Sequence, residues 1–165
     1  MNKPLVYENI YKELKGHIDK YDKEPFQLSL VAKMQAVVTA IRRQMPELVF
    51  VGFYTVEQLY NYEYSEAEKG LVIGPNASST LPTPFIRYGK GVCGTAWKLA
   101  AVQVENDISV CKNYITCSSA TKSEIVVPVF DKTKRVIAVL DIDSKVKGAF
   151  GDDDRAGLVK IVSLL

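Results

Sequence analysis

The sequence predicts an α+β fold, in which an antiparallel sheet of about six strands has helices packed on one face. Two observations lead to this prediction. Apolar residues recur at helical spacing through the first third of the chain, whereas from Leu48 onward the pattern changes to short runs rich in Val, Ile, Phe and Tyr. Because helices come first and most strands follow in a run, an antiparallel sheet is favoured over strictly alternating strands and helices.

Four helices are predicted from apolar periodicity and from residues that begin or end helices. The first covers about residues 6–18, and the second begins near Ser29 and is ended by Pro46. A short helix is predicted at 95–100. The last helix covers 152–165, and the carboxylates at its start suit the positive end of a helix dipole.

The remaining segments read as strands and turns of one domain. The polar, tyrosine-rich segment 57–70 is predicted to be a long hairpin excursion at the surface, and 131–134 has the composition of a hairpin turn. We find no repeat or linker, so residues 1–165 are predicted as one domain, with helices in 6–45, a sheet and its loops in 48–144, and a helix in 152–165. The predicted strands are 48–56, 71–74, 85–88, 102–104, 124–130 and 135–142.

Composition and charge exclude several classes of protein. The 165 residues carry 21 Lys and Arg against 19 Asp and Glu, a net charge of +2, which does not predict a nucleic-acid partner. The apolar runs fall short of the roughly 20 residues that span a bilayer, and the start of the chain does not resemble a signal peptide. Three cysteines without a C-x-x-C pair predict neither a disulfide framework nor a metal site. We expect a cytoplasmic protein with reduced thiols and no membrane partner.

One cysteine lies where chemistry is expected. Cys117 is in the small, polar segment 112–122 between two predicted strands, and a thiol in such a loop is more accessible than one in a strand. His17, the single histidine, is predicted on the surface of the first helix, far in sequence from any cysteine. Catalysis by a cysteine–histidine or serine–histidine pair is therefore not favoured. Thiol chemistry without an imidazole remains.

Three carboxylates accompany this thiol in the sequence. Asp141 and Asp143 are two residues apart in a predicted strand, so their side chains point to the same face. Glu124 opens another strand that is otherwise apolar. Paired like charges are unfavourable unless they reach solvent, bind a cation or share a proton. Two interpretations stay open: a solvated strand end, or a site for a cationic ligand with one carboxyl protonated for acid catalysis.

The order of several motifs resembles the free methionine-(R)-sulfoxide reductases, which are stand-alone GAF-domain enzymes. The resemblance extends from about Leu28 to the C-terminus, and includes Phe150 and the acidic start of the last helix. It implies a GAF-like fold with a ligand pocket on the sheet face opposite the helices. The motifs are 50–54 (FVGFY), 89–96 (GKGVCGTA), Cys117, 123–128 (SEIVVP) and 139–144 (VLDIDS).

The resemblance implies thiol-dependent reduction of free L-methionine-(R)-sulfoxide, and not of sulfoxide within proteins. Cys117 would attack the sulfoxide sulfur and become a sulfenic acid, which another thiol must reduce. Glu124, Asp141 and Asp143 would hold the substrate ammonium and assist the loss of oxygen. No bound cofactor is implied. An external, thioredoxin-like thiol would supply electrons, and a homodimer is an expected assembly.

The resemblance also assigns an aromatic pair and shows one change in it. Phe50 and Tyr54 would accommodate the methyl end of the substrate. Phe50 stands where the family usually has tryptophan, so one wall of that pocket would be smaller. The segment 57–70 is longer than the tight hairpin expected there.

A second departure concerns recycling of the oxidised cysteine. Thr83 occupies the position, ten residues before Cys93, where many members have the resolving cysteine. Three candidates for resolution remain: Cys93 at the start of a short helix, an external thiol, and Cys111, which is next to Lys112 and shares a loop with Cys117.

Two other functions compete with the enzyme. A GAF module could bind a small molecule and signal, although the sequence shows no kinase, cyclase or helical output segment. A catalytically idle dimeric GAF protein is the third alternative. Reduction of free methionine-(R)-sulfoxide at the expense of a thiol separates the enzyme from both.

Overall fold

A computed structural model of the chain describes residues 2–23, 27–60, 67–78, 81–115 and 118–165, with the side chains of 58–60, 67 and 68 left out. The helices are α1 (Lys3–Tyr21), α2 (Leu30–Gln44), α3 (Gly91–Leu99) and α4 (Asp152–Val162). The strands are β1 (Phe50–Tyr60), β2 (Ala67–Ser78), β3 (Phe85–Arg87), β4 (Gln103–Glu105), β5 (Ser123–Phe130) and β6 (Val136–Ser144).

The six strands form one antiparallel sheet in the order β3-β2-β1-β6-β5-β4. The central strands β1, β6 and β5 come from the middle and the end of the chain, so the sheet cannot form before β6 has been added. The predicted α+β class and the number of strands are confirmed.

The two faces of the sheet carry different layers. On one face α2 and α4 pack against the strands and α1 packs against both of these helices, and together they enclose the larger hydrophobic core. The fourth helix, α3, packs on the opposite face over a smaller apolar cluster. The sheet therefore lies between α3 and the other three helices. None of the helices in the described part of the chain is long and apolar enough to cross a bilayer. The smaller cluster contains Phe50, Tyr54, Leu71, Ile86, Val92, Cys93, Ala96, Val126 and Val139.

The structure extends two predicted strands and one predicted helix. The predicted hairpin is present at 57–70, and its two arms stay paired as far as Tyr60 and Ala67; residues 61–66 lie outside the described part. Since β6 pairs with β1 only as far as Thr55, the ends of β1 and β2 extend beyond β6 as a two-stranded ribbon. The helix predicted at 95–100 begins at Gly91, because packing on the sheet overrides the low helix propensity of glycine.

A buried polar contact joins the first helix to the last. Asp154, 1% exposed, accepts hydrogen bonds from the Tyr7 hydroxyl at 2.7 Å, the Lys3 ammonium at 2.7 Å and the Gly151 amide at 2.8 Å. Burial and the adjacent carboxylate raise the pKa of Tyr7 well above its ordinary value. Gly157 leaves room for the aromatic ring, because a Cβ at that position would lie 2.4 Å from Cγ of Tyr7.

We expect Asp154→Ala to lower the free energy of unfolding by about 2–4 kcal/mol, because it leaves the buried Tyr7 hydroxyl without its acceptor and the Lys3 ammonium with only the Ala149 carbonyl. Urea unfolding followed by circular dichroism measures the effect. Asp153→Ala is the matched control, since Asp153 is exposed in the same helical turn, and it should cost less than about 1 kcal/mol. Equal losses in the two variants would contradict a stabilising role for this contact.

Candidate active site

Three carboxylates lie side by side on the sheet face that α3 covers. The register places Phe50, Asp143 and Glu124 opposite one another across β1, β6 and β5. The next row on the same face contains Gly52 and Asp141. Asp141 and Asp143 therefore share one face, as their spacing predicts, while Glu124 joins them through strand pairing.

These carboxylates are buried. Glu124 is 6% exposed, Asp141 2% and Asp143 1%. The interpretation of the acidic pair as a solvated strand end is therefore wrong. One oxygen of Asp141 and one of Asp143 are buried without a hydrogen-bond partner among the described residues. Buried charges are costly unless they are paired, so this cluster is suited to a cationic ligand or to a bound proton.

Helix α3 brings a thiol to the carboxylates. Cys93, 3% exposed, lies in the first turn of α3 with its Sγ 3.9 Å from Oε1 of Glu124. The Cys93 sulfur, an oxygen of Glu124 and an oxygen of Asp141 all lie within 4.8 Å of one another. The sequence suggests either a reactive thiol or a small buried hydrophobe at this position. The structure shows a buried thiol beside carboxylates. The sulfur and the carboxylate oxygens are atoms that could also bind a metal ion.

Burial shifts the titration of the two aspartates upward. It raises the pKa of Asp141 from an ordinary 3.8 to about 7, against hydrogen bonds with Cys93 and Glu124 that lower it. It also raises the pKa of Asp143 well above the ordinary value, and the charge of Asp141 adds to this shift. At neutral pH the cluster therefore retains a proton, which is what a general acid requires.

The raised pKa of Asp141 predicts a pH-dependent stability. A carboxyl whose pKa is higher in the folded protein stabilises it most below the unfolded value, and this contribution is lost as pH rises from about 4 to about 7. In the wild type this shift lowers the free energy of unfolding between pH 5 and pH 8. We expect Asp141→Asn to make that decrease smaller by about 2 kcal/mol. Thermal unfolding at both pH values measures this. Asp152→Asn, an exposed control, should keep the wild-type profile, and an unchanged profile in Asp141→Asn would contradict the shift.

An aromatic wall borders the carboxylates. The rings of Phe50 and Tyr54 are both buried, with centroids 6.3 Å apart and planes inclined by 33°. The Phe50 ring lies over Gly52, where a Cβ would be 2.6 Å from Cζ of Phe50. Glycine is required there because the ring approaches the backbone next to Asp141. The site thus combines an apolar wall with an acidic one.

The loop that leads to Cys117 is attached to the start of α3. Asn113 donates hydrogen bonds to the Gly89 carbonyl and the Thr95 hydroxyl, each at 3.1 Å, and accepts one from the Gly91 amide at 3.4 Å. Sequence reasoning missed Asn113, because an asparagine in a polar loop carries no specific signal. Cys117 itself lies outside the described residues, and its role stays a prediction.

The other residues singled out in the sequence lie on other elements of the fold. His17 is exposed on α1, as predicted. Cys111 is half-buried and packs against the smaller apolar cluster. Thr83 is half-buried in the segment before β3. Six of the seven predicted site residues are described, and all six lie on the α3 face of the sheet: Phe50, Tyr54, Cys93, Glu124, Asp141 and Asp143.

In sequence, the chain is similar to a free methionine-R-sulfoxide reductase and to a protein named for its GAF domain. The chain is 34% identical over 139 residues to the free methionine-R-sulfoxide reductase of Escherichia coli (strain K12), covering 84% of this chain and 77% of that protein. It is 33% identical over 164 residues to GAF domain-containing protein A of Dictyostelium discoideum, covering 99% and 92%. No family model matches the chain.

In fold, the chain is similar to solved structures of the same two kinds of protein. The free methionine-R-sulfoxide reductase of Neisseria meningitidis, solved in complex with its substrate, superposes with a TM-score of 0.83 at 27% identity, covering 99% of this chain and 88% of that one. The reduced form of the Staphylococcus aureus protein named fRMsr gives a TM-score of 0.79 at 31% identity, covering 96% and 91%. A putative GAF sensor protein from Burkholderia vietnamiensis also gives 0.83, at 27% identity, covering 99% and 93%.

Proposed function

Because this chain belongs to the free methionine-R-sulfoxide reductases, we propose that it reduces free methionine-R-sulfoxide to methionine through a sulfenic acid at Cys117. The observation that carries the proposal is the buried carboxyl cluster beside an aromatic wall. Such a site suits a ligand with a cationic group and a short apolar end, and it can supply a proton.

The acidic cluster also supports selectivity for the free amino acid. Free methionine sulfoxide carries an α-ammonium, which becomes an uncharged amide in a peptide. Asp141 and Asp143 are buried, and no ion pair reaches either of them from the part of the chain that the structure describes. An ammonium placed there gains the carboxylates as partners, whereas an amide leaves them unpaired, which should lower kcat/KM by at least about 10²-fold.

The proposed reaction starts with attack by the Cys117 sulfur on the sulfoxide sulfur. A protonated carboxyl of the cluster donates to the sulfoxide oxygen, and the sulfur–oxygen bond of the substrate breaks. The sulfur–sulfur bond formed by the attack breaks as the protonated oxygen moves from the substrate sulfur to the Cys117 sulfur, which releases methionine. In balance, the thiol and the sulfoxide give a sulfenic acid and a thioether: the substrate sulfur gains two electrons and the Cys117 sulfur loses two. The raised pKa values of Asp141 and Asp143 support one of these two carboxyls as the proton donor.

The sulfenic acid must then be reduced. We propose that Cys93 condenses with it, releasing water and forming a disulfide that an external, thioredoxin-like dithiol reduces. Support comes from Asn113, which attaches the loop before Cys117 to the turn of α3 that carries Cys93 and so brings that loop to the end of α3 where the Cys93 thiol lies. A homodimer remains a prediction.

This recycling route predicts a defined oxidation product. Reduced protein treated with one equivalent of substrate should contain a Cys93–Cys117 disulfide, identified by peptide mapping with mass spectrometry. Cys93→Ser should instead retain a sulfenic acid at Cys117, trapped by dimedone. A persistent sulfenic acid in the wild type would show that an external thiol resolves it, and a Cys111–Cys117 disulfide would assign that role to Cys111.

The test of the function compares three substrates at one concentration with dithiothreitol as the reductant. We expect turnover of L-methionine-(R)-sulfoxide and little turnover of the S epimer. N-acetyl-L-methionine-(R)-sulfoxide is the matched control, since it differs by loss of the ammonium, and its kcat/KM should be lower by at least about 10²-fold. Equal rates on the free and acetylated substrates would contradict the proposed use of the carboxylates.

The second candidate is a GAF module that binds methionine sulfoxide without reducing it. This alternative is supported by a relative of 33% identity that is named only for its GAF domain. Calorimetric binding of the sulfoxide with no methionine formed would favour it over the enzyme.

A further inference from the structure

The contact between α3 and the sheet creates a set of metal-ligand atoms that no sequence spacing shows. The sulfur of Cys93 lies 3.9 Å from Oε1 of Glu124, and both lie within 4.8 Å of an oxygen of Asp141. In a tetrahedral zinc site, with sulfur at about 2.3 Å and oxygen at about 2.0 Å from the ion, a sulfur and an oxygen ligand are about 3.5 Å apart. The measured pair is therefore a few tenths of an ångström from that separation.

The two aspartates of the cluster have no cationic partner among the described residues. Asp141 and Asp143 are at most 2% exposed, and within the described ranges neither takes part in an ion pair. One oxygen of each is buried without a hydrogen-bond partner there. Asp143 lies opposite Glu124 in the sheet register and on the same face as Asp141, so the unpaired oxygens belong to the same acidic cluster. A divalent cation bound to Asp141 would offset the negative charge of the cluster, including that of the neighbouring Asp143.

The ligand types select among cations. A thiolate favours zinc and its thiophilic analogues, whereas Mg²⁺ and Ca²⁺ require six to eight oxygen ligands. We propose that Cys93, Glu124 and Asp141 bind one thiophilic divalent cation, Zn²⁺ or Cd²⁺, and that this ion and methionine sulfoxide exclude each other. The mutual exclusion rests on the proposed function, because that function places the substrate ammonium on the same carboxylates. Such an ion would act as a reversible inhibitor.

Cadmium is the probe, because cadmium–thiolate bonds give an ultraviolet charge-transfer band that does not depend on enzyme activity. Fully reduced, metal-free protein is titrated with CdCl₂. We expect one equivalent to bind, Cys93→Ser to abolish the band, and Asp141→Asn to weaken binding about tenfold or more. Cys111→Ser is the matched control, since Cys111 lies outside the cluster, and it should keep the wild-type titration. Circular dichroism verifies that each variant is folded.

Other results would overturn the assignment. No band in the folded wild-type protein, or a band that survives in Cys93→Ser, would contradict Cys93 as a ligand. Loss of the band in Cys117→Ser as well as in Cys93→Ser would support the site, with Cys117 as a further ligand. An unchanged titration in Asp141→Asn would contradict the role of that carboxylate.

Competition is measured separately in Cys117→Ser, which should not consume the sulfoxide, or in Cys117→Ala if serine alters the site. Free methionine sulfoxide should lower the apparent affinity for Cd²⁺ in proportion to its concentration. If the protein binds Cd²⁺ as described but saturating sulfoxide has no effect, mutual exclusion is wrong while the metal site stands. If the wild type binds Cd²⁺ and never reduces the sulfoxide, the proposed function fails and the metal site again stands.

Discussion

Cys117→Ser is expected to reduce the turnover of free methionine-R-sulfoxide to at most about a thousandth of the wild-type rate. A hydroxyl is a much weaker nucleophile than a thiolate, and serine cannot form the sulfenic acid that carries the oxygen away. The measurement is the release of methionine in a single turnover by reduced protein, because this step precedes recycling. Cys111→Ser, tested in the same way, controls for the loss of a thiol in the same loop.

A Cys117→Ser variant that keeps more than a tenth of the single-turnover rate would show that another group attacks the sulfoxide. Cys93 would then be the first candidate, because its sulfur lies 3.9 Å from a carboxylate oxygen of Glu124. The double variant Cys93→Ser/Cys117→Ser would separate this outcome from a reaction of the assay thiol itself. In either case the fold should persist, since serine is close in size to cysteine.

The second large effect is expected from the carboxylates. Asp141→Asn, Asp143→Asn and Glu124→Gln each keep the shape of the side chain while removing its charge and its proton. For the residue that protonates the departing oxygen, we expect kcat to fall by about 10²–10⁴-fold. For a residue that only binds the ammonium, KM should rise more than kcat falls. Steady-state kinetics of the three variants therefore assign the two roles.

Asp152→Asn serves as the control for these variants, because Asp152 is exposed at the start of α4. Near-normal kinetics in all three amide variants would remove the carboxylates from the reaction and leave their burial without a catalytic reason. If Asp143→Asn alone lowers kcat while the other two raise KM, Asp143 is the acid. Such a result would agree with the upward shift that burial and the charge of Asp141 give its pKa.

Period-two alternation was sufficient to predict one face for Asp141 and Asp143, because side-chain direction in a strand depends only on position along it. The β5–β6 turn at 131–134 was also predictable: Asp131 accepts hydrogen bonds from the Thr133 and Arg135 amides at 2.8 and 3.0 Å, which is typical of turn-forming aspartates. These features depend on a few neighbouring residues.

The thiol–carboxylate contact could not be predicted in this way. Cys93 and Glu124 are 31 residues apart, and their approach depends on how α3 docks on the sheet and on the register of β5. The extent of strand pairing in the hairpin at 57–70 was not predictable for a related reason: the segment is polar, and backbone pairing between β1 and β2 does not require apolar side chains. The hydrogen bonds of Asn113 to the start of α3 likewise exist only in the assembled fold.

The contact of α1 with α4 has a consequence for synthesis on the ribosome. Tyr7 and Asp154 are 147 residues apart, so the first helix to leave the exit tunnel receives its polar partner almost last. Until α4 is synthesised, the apolar residues of α1, including Ile10 and Leu14, lack the part of the hydrophobic core that α4 supplies. Nascent chains stalled before residue 154 should therefore be digested by protease within α1, and chains extended beyond Leu165 by a linker that clears the tunnel should be protected.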